Sequence, residues 1–179
     1  MVLGIKELHK LVKEQKLVEN LSEGELTNPE GAGFDLRIGE LYEVLGQGYL
    51  GVEERDTPDM KLIATYTEGE KQEVLLKPHT YYTMKTVEDV NIPDNILAMM
   101  TARSTLFRSG ISLFGGQVPP GYEGGLVLGV YNFRDTDFKL EMGARVVHIM
   151  FFEVKGTGNM YRGQWKGGRV TTDGKETQV

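Results

Sequence analysis

The distribution of turn residues limits most strongly what this chain can fold into. Its 179 residues include 23 glycines and six prolines, which separate short runs of β-branched, aromatic and aliphatic residues. Closely spaced runs of this kind are typical of antiparallel sandwiches and barrels. The predicted strands cover residues 34–38, 41–45, 61–66, 73–76, 81–86, 97–101, 125–132, 138–140 and 146–154. We therefore predict an all-β fold rather than a doubly wound α/β fold, because strands and helices do not alternate.

One segment near the start has a different periodicity. From about residue 5 to residue 18, apolar side chains recur at near-helical spacing, and lysines and glutamates fill the positions between them. This pattern predicts one amphipathic helix. We expect no further helix after it.

Composition excludes several classes of protein. The chain has no cysteine, which rules out disulfides and thiolate metal sites. Its first residues lack the apolar run of a signal peptide, and no later stretch reaches membrane-spanning length. The sequence therefore predicts a cytoplasmic protein that does not enter a membrane.

The net charge of −6 bears on the kind of ligand. Proteins that grip long nucleic acids need a basic surface, so we expect no nucleic acid polymer as partner. A few arginines and backbone N–H groups are enough to hold a nucleoside triphosphate. A small phosphate ligand is the better prediction.

The chain divides at about residue 160. Residues 1–159 form the predicted single β domain with its N-terminal helix. Residues 160–179 are polar and rich in glycine, threonine and lysine, which predicts a C-terminal tail that can close over a site. Trp165 is unusual in such a tail, because a large indole normally docks on another part of the protein.

Five segments, in order, carry a family resemblance. They are residues 31–39 (GAGFDLRIG), 101–111 (TARSTLFRSGI), 120–125 (PGYEGG) with the strand that follows, 143–151 (GARVVHIMF) and 161–169 (YRGQWKGGR). In this order they resemble the dUTPase/dCTP deaminase superfamily, and the N-terminal helix and the tail resemble its deaminase branch. The resemblance implies a distorted jelly roll or β-barrel that assembles as a homotrimer, with three sites between subunits.

The second segment supplies the predicted phosphate site. Arg103, Ser104 and Arg108 place two guanidinium groups and a hydroxyl at short range, and these groups suit phosphate oxygens. Surface ion pairs are the alternative interpretation. The resemblance implies that the segment holds the triphosphate for a neighbouring subunit. In the tail, Lys166 and Arg169 are further candidates for phosphate contact.

Asp35 lies in the first segment, within an alternating strand. Phe34, Leu36 and Ile38 would face one side, and Asp35 and Arg37 the other. A solvated edge strand is one interpretation. The resemblance implies the other, in which Asp35 organises the subunit interface or the hydrated Mg²⁺ that the triphosphate carries, with no direct protein ligand to the metal.

The region around residues 115–122 predicts a hairpin-like turn, because glycine and proline are dense there. In the superfamily this hairpin receives the deoxyribose and the pyrimidine. The resemblance therefore makes Gly116, Gln117 and Val118 candidates for base contact. It also places the ring of Tyr122 under the sugar, although a packing role is the simpler reading of a lone tyrosine.

Two departures affect the choice of reaction. The superfamily's dUTPases carry an aspartate as general base where this chain has Pro119, and its deaminases carry a proton-shuttling glutamate where it has Gly129. A zinc-dependent deamination is also excluded, since there is no cysteine and the three histidines lack ligand spacing.

Diphosphate hydrolysis is the reaction that these departures damage least, because much of it is positioning and electrostatic stabilisation. Asp35, Gln117 and Glu123 are the candidates for orienting water. We therefore expect a magnesium-dependent dUTP diphosphatase acting on a pyrimidine deoxynucleoside triphosphate. Two alternatives stay open: a dCTP deaminase, or bifunctional deaminase, and a nucleotide-binding homologue without catalytic activity.

Overall fold

A computed structural model describes residues 1–156 and 158–178 of the chain. The helices are α1 (Ile5–Gln15), α2 (Glu23–Thr27) and α3 (Ser104–Arg108). The strands are β1 (Val18–Glu19), β2 (Phe34–Leu45), β3 (Tyr49–Leu50), β4 (Glu54–Asp56), β5 (Asp59–Thr65), β6 (Glu73–Leu76), β7 (Tyr81–Asn91), β8 (Ile96–Ala102), β9 (Ile111–Phe114), β10 (Gln117–Val118), β11 (Glu123–Asn132), β12 (Phe138–Glu141), β13 (Arg145–Glu153) and β14 (Glu176–Thr177). The prediction of a mostly β fold is confirmed.

Nine strands form one curled antiparallel sheet. Its path is β10-β8-β13-β2-β7-β11-β9, and β1 and β5 pair with β7 and β2 respectively. Two smaller sheets, β12-β6 and β14-β4-β3, complete the fold. The segments predicted at 34–38 and 41–45 are one continuous strand, whose pairing register with β7 shifts near Gly39.

The core lies on the inner face of this curled sheet, and α1 packs against part of it. Phe34, Leu36 and Ile38 on β2 are fully buried, as the alternation predicted. Leu8 and Leu11 bury the apolar side of α1 against the same core. The helix ends earlier than predicted, because Lys16 adopts the left-handed conformation and its N–H bonds back to the last turn.

Two expectations about helices and strands were wrong. The chain forms two further five-residue helices, α2 and α3, although none was expected after α1. The short strands β1, β3, β4, β9, β10 and β14 were also missed. No helix in the described part of the chain is both long and apolar enough to span a bilayer.

Candidate functional site

A cavity of about 590 Å³ opens between the body of the sheet and the tail. This volume lies in the range of small-molecule sites. Strands β2, β5, β7, β8, β10 and β11 and the tail surround it. The residues that line it are Val44, Thr57, Pro58, Met60, Tyr81, Thr83, Met100, Gly115, Gly116, Gln117, Val118, Pro119, Tyr122, Leu126, Val127, Leu128, Gly129, Tyr161, Trp165, Arg169 and Val170.

The predicted base-contacting residues lie together in this cavity. Gly116, Gln117 and Val118 all line it, and β10 is the end strand of the sheet path. One edge of β10 pairs with β8, so the backbone groups of its other edge face no strand in the described part of the chain. An unpaired strand edge offers N–H and C=O groups that can read the edge of a base.

Tyr122 forms part of the cavity wall. Its side chain is buried, and its hydroxyl donates to the carbonyl oxygens of Gly125 at 2.7 Å and Trp165 at 3.2 Å. Burial raises the pKa of this phenol to about 12. The ring of Tyr161 packs edge-on against it, with centroids 5.4 Å apart. Tyr122 therefore presents a fixed, neutral aromatic surface to the cavity.

The tail lies against the body of the protein and contributes Trp165 and Arg169 to the cavity. The guanidinium of Arg55 stacks 4.6 Å from the centroid of the Trp165 ring, which gives the indole its expected docking site. Arg169 is ion-paired with Glu176. This pairing raises the pKa of the Arg169 guanidinium and lowers the pKa of the Glu176 carboxyl. Thr57 and Thr172 exchange hydrogen bonds at 2.9 and 3.0 Å, which further ties the tail to the body.

The candidates for orienting water are not equally placed. Gln117 lines the cavity, whereas Glu123 lies outside the lining and its carboxylate is 3.1 Å from the ammonium of Lys166. Pro119 also lines the cavity and brings no proton acceptor. Among the described lining residues, Arg169 is the only one with a formal charge. The cavity walls that the structure describes therefore contain no carboxylate.

Asp35 belongs to a second assembly, which we call the ion-pair cluster: Glu25, Asp35, Arg103, Arg145 and His148. Both carboxylates are almost completely buried, and the backbone N–H of Asp35 donates to Glu25 Oε2 at 3.0 Å. Asp35 pairs directly with Arg103 and is 2.9 Å from His148 Nδ1. Burial is the main cause that lowers the pKa of His148.

The ion-pair cluster corrects the first interpretation of Asp35. The idea of a solvated edge strand is wrong, because β2 lies between β13 and β7 and Asp35 is buried. Both of its carboxylate oxygens are occupied, Oδ1 by His148 and Oδ2 by arginines. With these partners, the Asp35 carboxylate has few free lone pairs with which to bind a hydrated magnesium ion. Its geometry suits a residue that holds Arg103 in place. No group of three or more potential metal ligands occurs among the described residues.

The predicted phosphate residues follow β8. Arg103 precedes α3, Ser104 begins it and Arg108 ends it. Arg108 and Arg134 line a separate surface pocket together with Ser109 and Gly110. Arg103, Ser104 and Arg108 are all absent from the lining of the cavity in the same chain. Within one copy of the chain, the structure thus separates the two halves of the predicted site.

Tyr81 is a cavity residue that the sequence analysis missed. Its hydroxyl occupies the space that a side chain at position 129 would fill. The signal in the sequence was Gly129 itself, since a glycine inside a strand often marks a close approach by another group.

Comparison with known proteins identifies the family. Residues 2–154 match the dCTP deaminase-like family. The chain belongs to that family. It is 32% identical to a dCTP deaminase of Pyrococcus furiosus over 157 residues, which cover 87% of this chain and 88% of the relative. It is also 30% identical to a probable deoxyuridine 5′-triphosphate nucleotidohydrolase of Methanothermobacter thermautotrophicus, over 79% of this chain and 89% of the relative.

A solved structure supports the fold of this dCTP deaminase-like protein. The crystal structure of 2′-deoxycytidine 5′-triphosphate deaminase from Agrobacterium tumefaciens superposes with a TM-score of 0.65 at 16% identity. The match covers 86% of this chain and 46% of that one, so the present chain spans about half the length of that deaminase chain. The expected chain fold is thereby confirmed, and the homotrimer stays a prediction.

Proposed function

We propose that this protein binds a pyrimidine deoxynucleoside triphosphate and hydrolyses dUTP to dUMP and pyrophosphate. The observation that carries the proposal is the cavity itself. It joins an unpaired strand edge at Gln117–Val118 to a buried tyrosine, while a glycine stands at position 129. The cavity can hold a base and a sugar, but its described walls offer no carboxylate for proton transfer at the ring.

Hydrolysis suits these walls better than deamination does. Deamination without zinc needs a side chain that moves protons at the pyrimidine ring, and Gly129 has none. Hydrolysis of the triphosphate depends more on holding the phosphates in line and stabilising their charge. The amide of Gln117 can orient a water molecule in the cavity, although it cannot accept the proton.

The phosphate end of the site would come from a neighbouring copy of the chain. Arg103, Ser104 and Arg108 lie outside the cavity of their own subunit, which agrees with a site shared in a homotrimer. Arg169 and Lys166 of the tail would complete it, once the ligand competes with their present partners Glu176 and Glu123. Magnesium would arrive bound to the triphosphate in a cytoplasmic nucleotide pool.

The deciding experiment is a turnover assay. The purified protein is incubated with magnesium and either dUTP or dCTP, and the products are separated by anion-exchange chromatography. We expect dUMP and pyrophosphate from dUTP, and no product from dCTP. Conversion of dCTP to a uracil nucleotide would instead make the protein a deaminase or a bifunctional enzyme, as the names of most of the matched relatives suggest.

A second candidate function is binding without turnover. It is favoured by the absence of a carboxylate among the described cavity walls, since Asp35 and Glu123 are both held in ion pairs elsewhere. In that case neither nucleotide would be converted, yet each bound nucleotide would raise the melting temperature of the protein. A thermal shift measured on the same samples separates this outcome from a failure to bind.

A further inference from the structure

Tyr81 and Gly129 form a matched pair in the cavity. Gly129 on β11 lies opposite Thr83 on β7, so Tyr81 is its diagonal neighbour on the same face of the sheet. An ideal Cβ at position 129 would lie 2.7 Å from Cζ of Tyr81 and closer still to the hydroxyl oxygen. The tyrosine therefore uses the volume that any larger residue at 129 would need.

Space, and not backbone conformation, accounts for this glycine. Gly129 is not among the glycines with a positive φ, so an L side chain could adopt its backbone conformation. The close atoms all belong to the free end of one tyrosine side chain. The phenol of Tyr81, which extends from β7, therefore occupies the space that a side chain at position 129 on β11 would take.

The Tyr81 hydroxyl is available to a ligand. The residue lines the cavity and is 45% exposed, and its hydroxyl has no hydrogen-bond partner in the described part of the chain. Partial burial raises the pKa of the phenol, so the group is neutral and carries its proton at neutral pH. It is a hydrogen-bond donor without an acceptor.

This end of the cavity suits a base better than a phosphate. The tail glycine Gly168 contacts Gly125, and Gly129 lies four residues farther along β11, at a distance of about 13 Å. Around Gly129 the groups are aromatic and apolar: the rings of Tyr81 and Phe114 are 6.2 Å apart, and Met100 and Leu128 line the wall. The charged Arg169 follows Gly168, at the opposite end.

We propose that Tyr81 determines base specificity by donating a hydrogen bond to the exocyclic O4 carbonyl of a uracil nucleotide. This inference rests on the proposed function and assigns it a base. Uracil presents an acceptor at position 4, where cytosine presents an amino donor. A carboxylate at this place could only accept and would repel O4, whereas the neutral phenol donates to it. Tyr81 and Gly129 together would therefore make the pocket prefer uracil to cytosine.

The test is the ratio of two affinities. The α,β-imido analogues of dUTP and dCTP, which hydrolysis at the α-phosphorus does not consume, are titrated by calorimetry against the wild type and Tyr81→Phe. We expect the wild type to prefer the dUTP analogue. Tyr81→Phe should bind that analogue roughly fivefold more weakly and should change its affinity for the dCTP analogue less than twofold.

Two further variants isolate the hydroxyl. Tyr49→Phe is the matched control, because Tyr49 is similarly exposed and lies on β3 outside the cavity lining. It should leave both affinities unchanged. Gly129→Ala keeps the hydroxyl but displaces it, so it should weaken binding of the dUTP analogue as Tyr81→Phe does.

The outcomes separate this inference from the proposed function. A wild type that binds the dUTP analogue, together with an unchanged ratio in Tyr81→Phe, overturns the role of Tyr81 and leaves the function standing. A wild-type preference for the dCTP analogue also overturns it. Binding of neither analogue by the wild type overturns the proposed function, and this inference with it.

Discussion

The cavity and the ion-pair cluster use charge in opposite ways. The cavity walls carry tyrosines, glycines, a glutamine and one arginine. The ion-pair cluster concentrates two buried carboxylates with two arginines and a histidine. Both regions are built on motif segments, yet the carboxylate of the first segment is committed to holding an arginine. The difference teaches that the motif aspartate Asp35 holds an arginine in place, while the described cavity walls contain no carboxylate.

This contrast has an energetic consequence. Buried ion pairs lose hydration on folding, and their Coulomb attraction roughly offsets that cost, so they add little net stability. Removing one member is different, because the remaining charges are then buried without a partner. Variants of the buried carboxylates in the ion-pair cluster should therefore affect folding, whereas variants at the cavity or at Arg108 should affect ligand binding.

The largest effect is expected for Asp35→Asn. The change leaves the guanidinium groups of Arg103 and Arg145 without the charge of Asp35, which should lower the free energy of unfolding by about 3 kcal/mol. Urea denaturation followed by circular dichroism measures it. The control is Asp94→Asn, which changes an exposed aspartate and should have little effect. Equal stability of the two variants would contradict the organising role of Asp35.

Arg108→Ala tests whether the phosphate segment affects ligand binding rather than folding. The residue lies at the end of α3 in a surface pocket, so its loss should leave folding intact. If it holds the triphosphate, the dissociation constant for dUTP should rise about tenfold, the effect of one charge-assisted hydrogen bond. Lys10→Ala, on the exposed side of α1, removes the same charge as a control. Unchanged affinity in Arg108→Ala would remove this residue from the site.

Trp165→Ala tests whether the tail is part of the cavity. The indole stacks on Arg55 and lines the cavity, so its removal should loosen the tail and weaken nucleotide binding about fivefold. Arg162→Ala changes an exposed residue of the same tail and serves as the control. Calorimetric titration measures both. Equal nucleotide affinity in Trp165→Ala and in the control would show that the indole of the tail does not contribute to nucleotide binding.

The smallest effect is expected for the pH dependence of stability near His148. Its pKa is lowered on folding, so below about 6.5 the unfolded chain binds more protons than the folded one. Stability should therefore decline as the pH falls through this range. His148→Asn should reduce the decline between pH 7.5 and 5.5, as measured by urea midpoints.

Much of the candidate site could be predicted from local sequence. The region at Gly116–Tyr122 was recognised by its glycines and prolines, and its predicted contact residues do line one cavity. The absence of the expected bases at Pro119 and Gly129 was also visible in the chain. What could not be predicted was the identity of the group that fills the space at 129, because Tyr81 lies 48 residues away in the sequence and meets it only through strand pairing.

The boundaries of the short elements show the same limit. β14 exists because Glu176 pairs with Arg55, more than a hundred residues earlier. β1 and β10 are two-residue strands; β1 pairs near the end of β7, and β10 pairs with the middle of β8. The intrinsic strand propensity of two residues is too small to specify a strand, because their hydrogen-bond partners lie in distant parts of the chain.

The sequence alone determined the all-β class, the amphipathic α1 and the ordered motifs, because period-two alternation, helical spacing and turn residues are local properties of a chain. Tertiary structure alone decided that Asp35 is buried against Arg103, that the tail contributes Trp165 to the cavity, and that Tyr81 takes the space at Gly129. These outcomes depend on which distant segments meet. Burial and pairing are properties of the packed molecule, and no short stretch of sequence carries them.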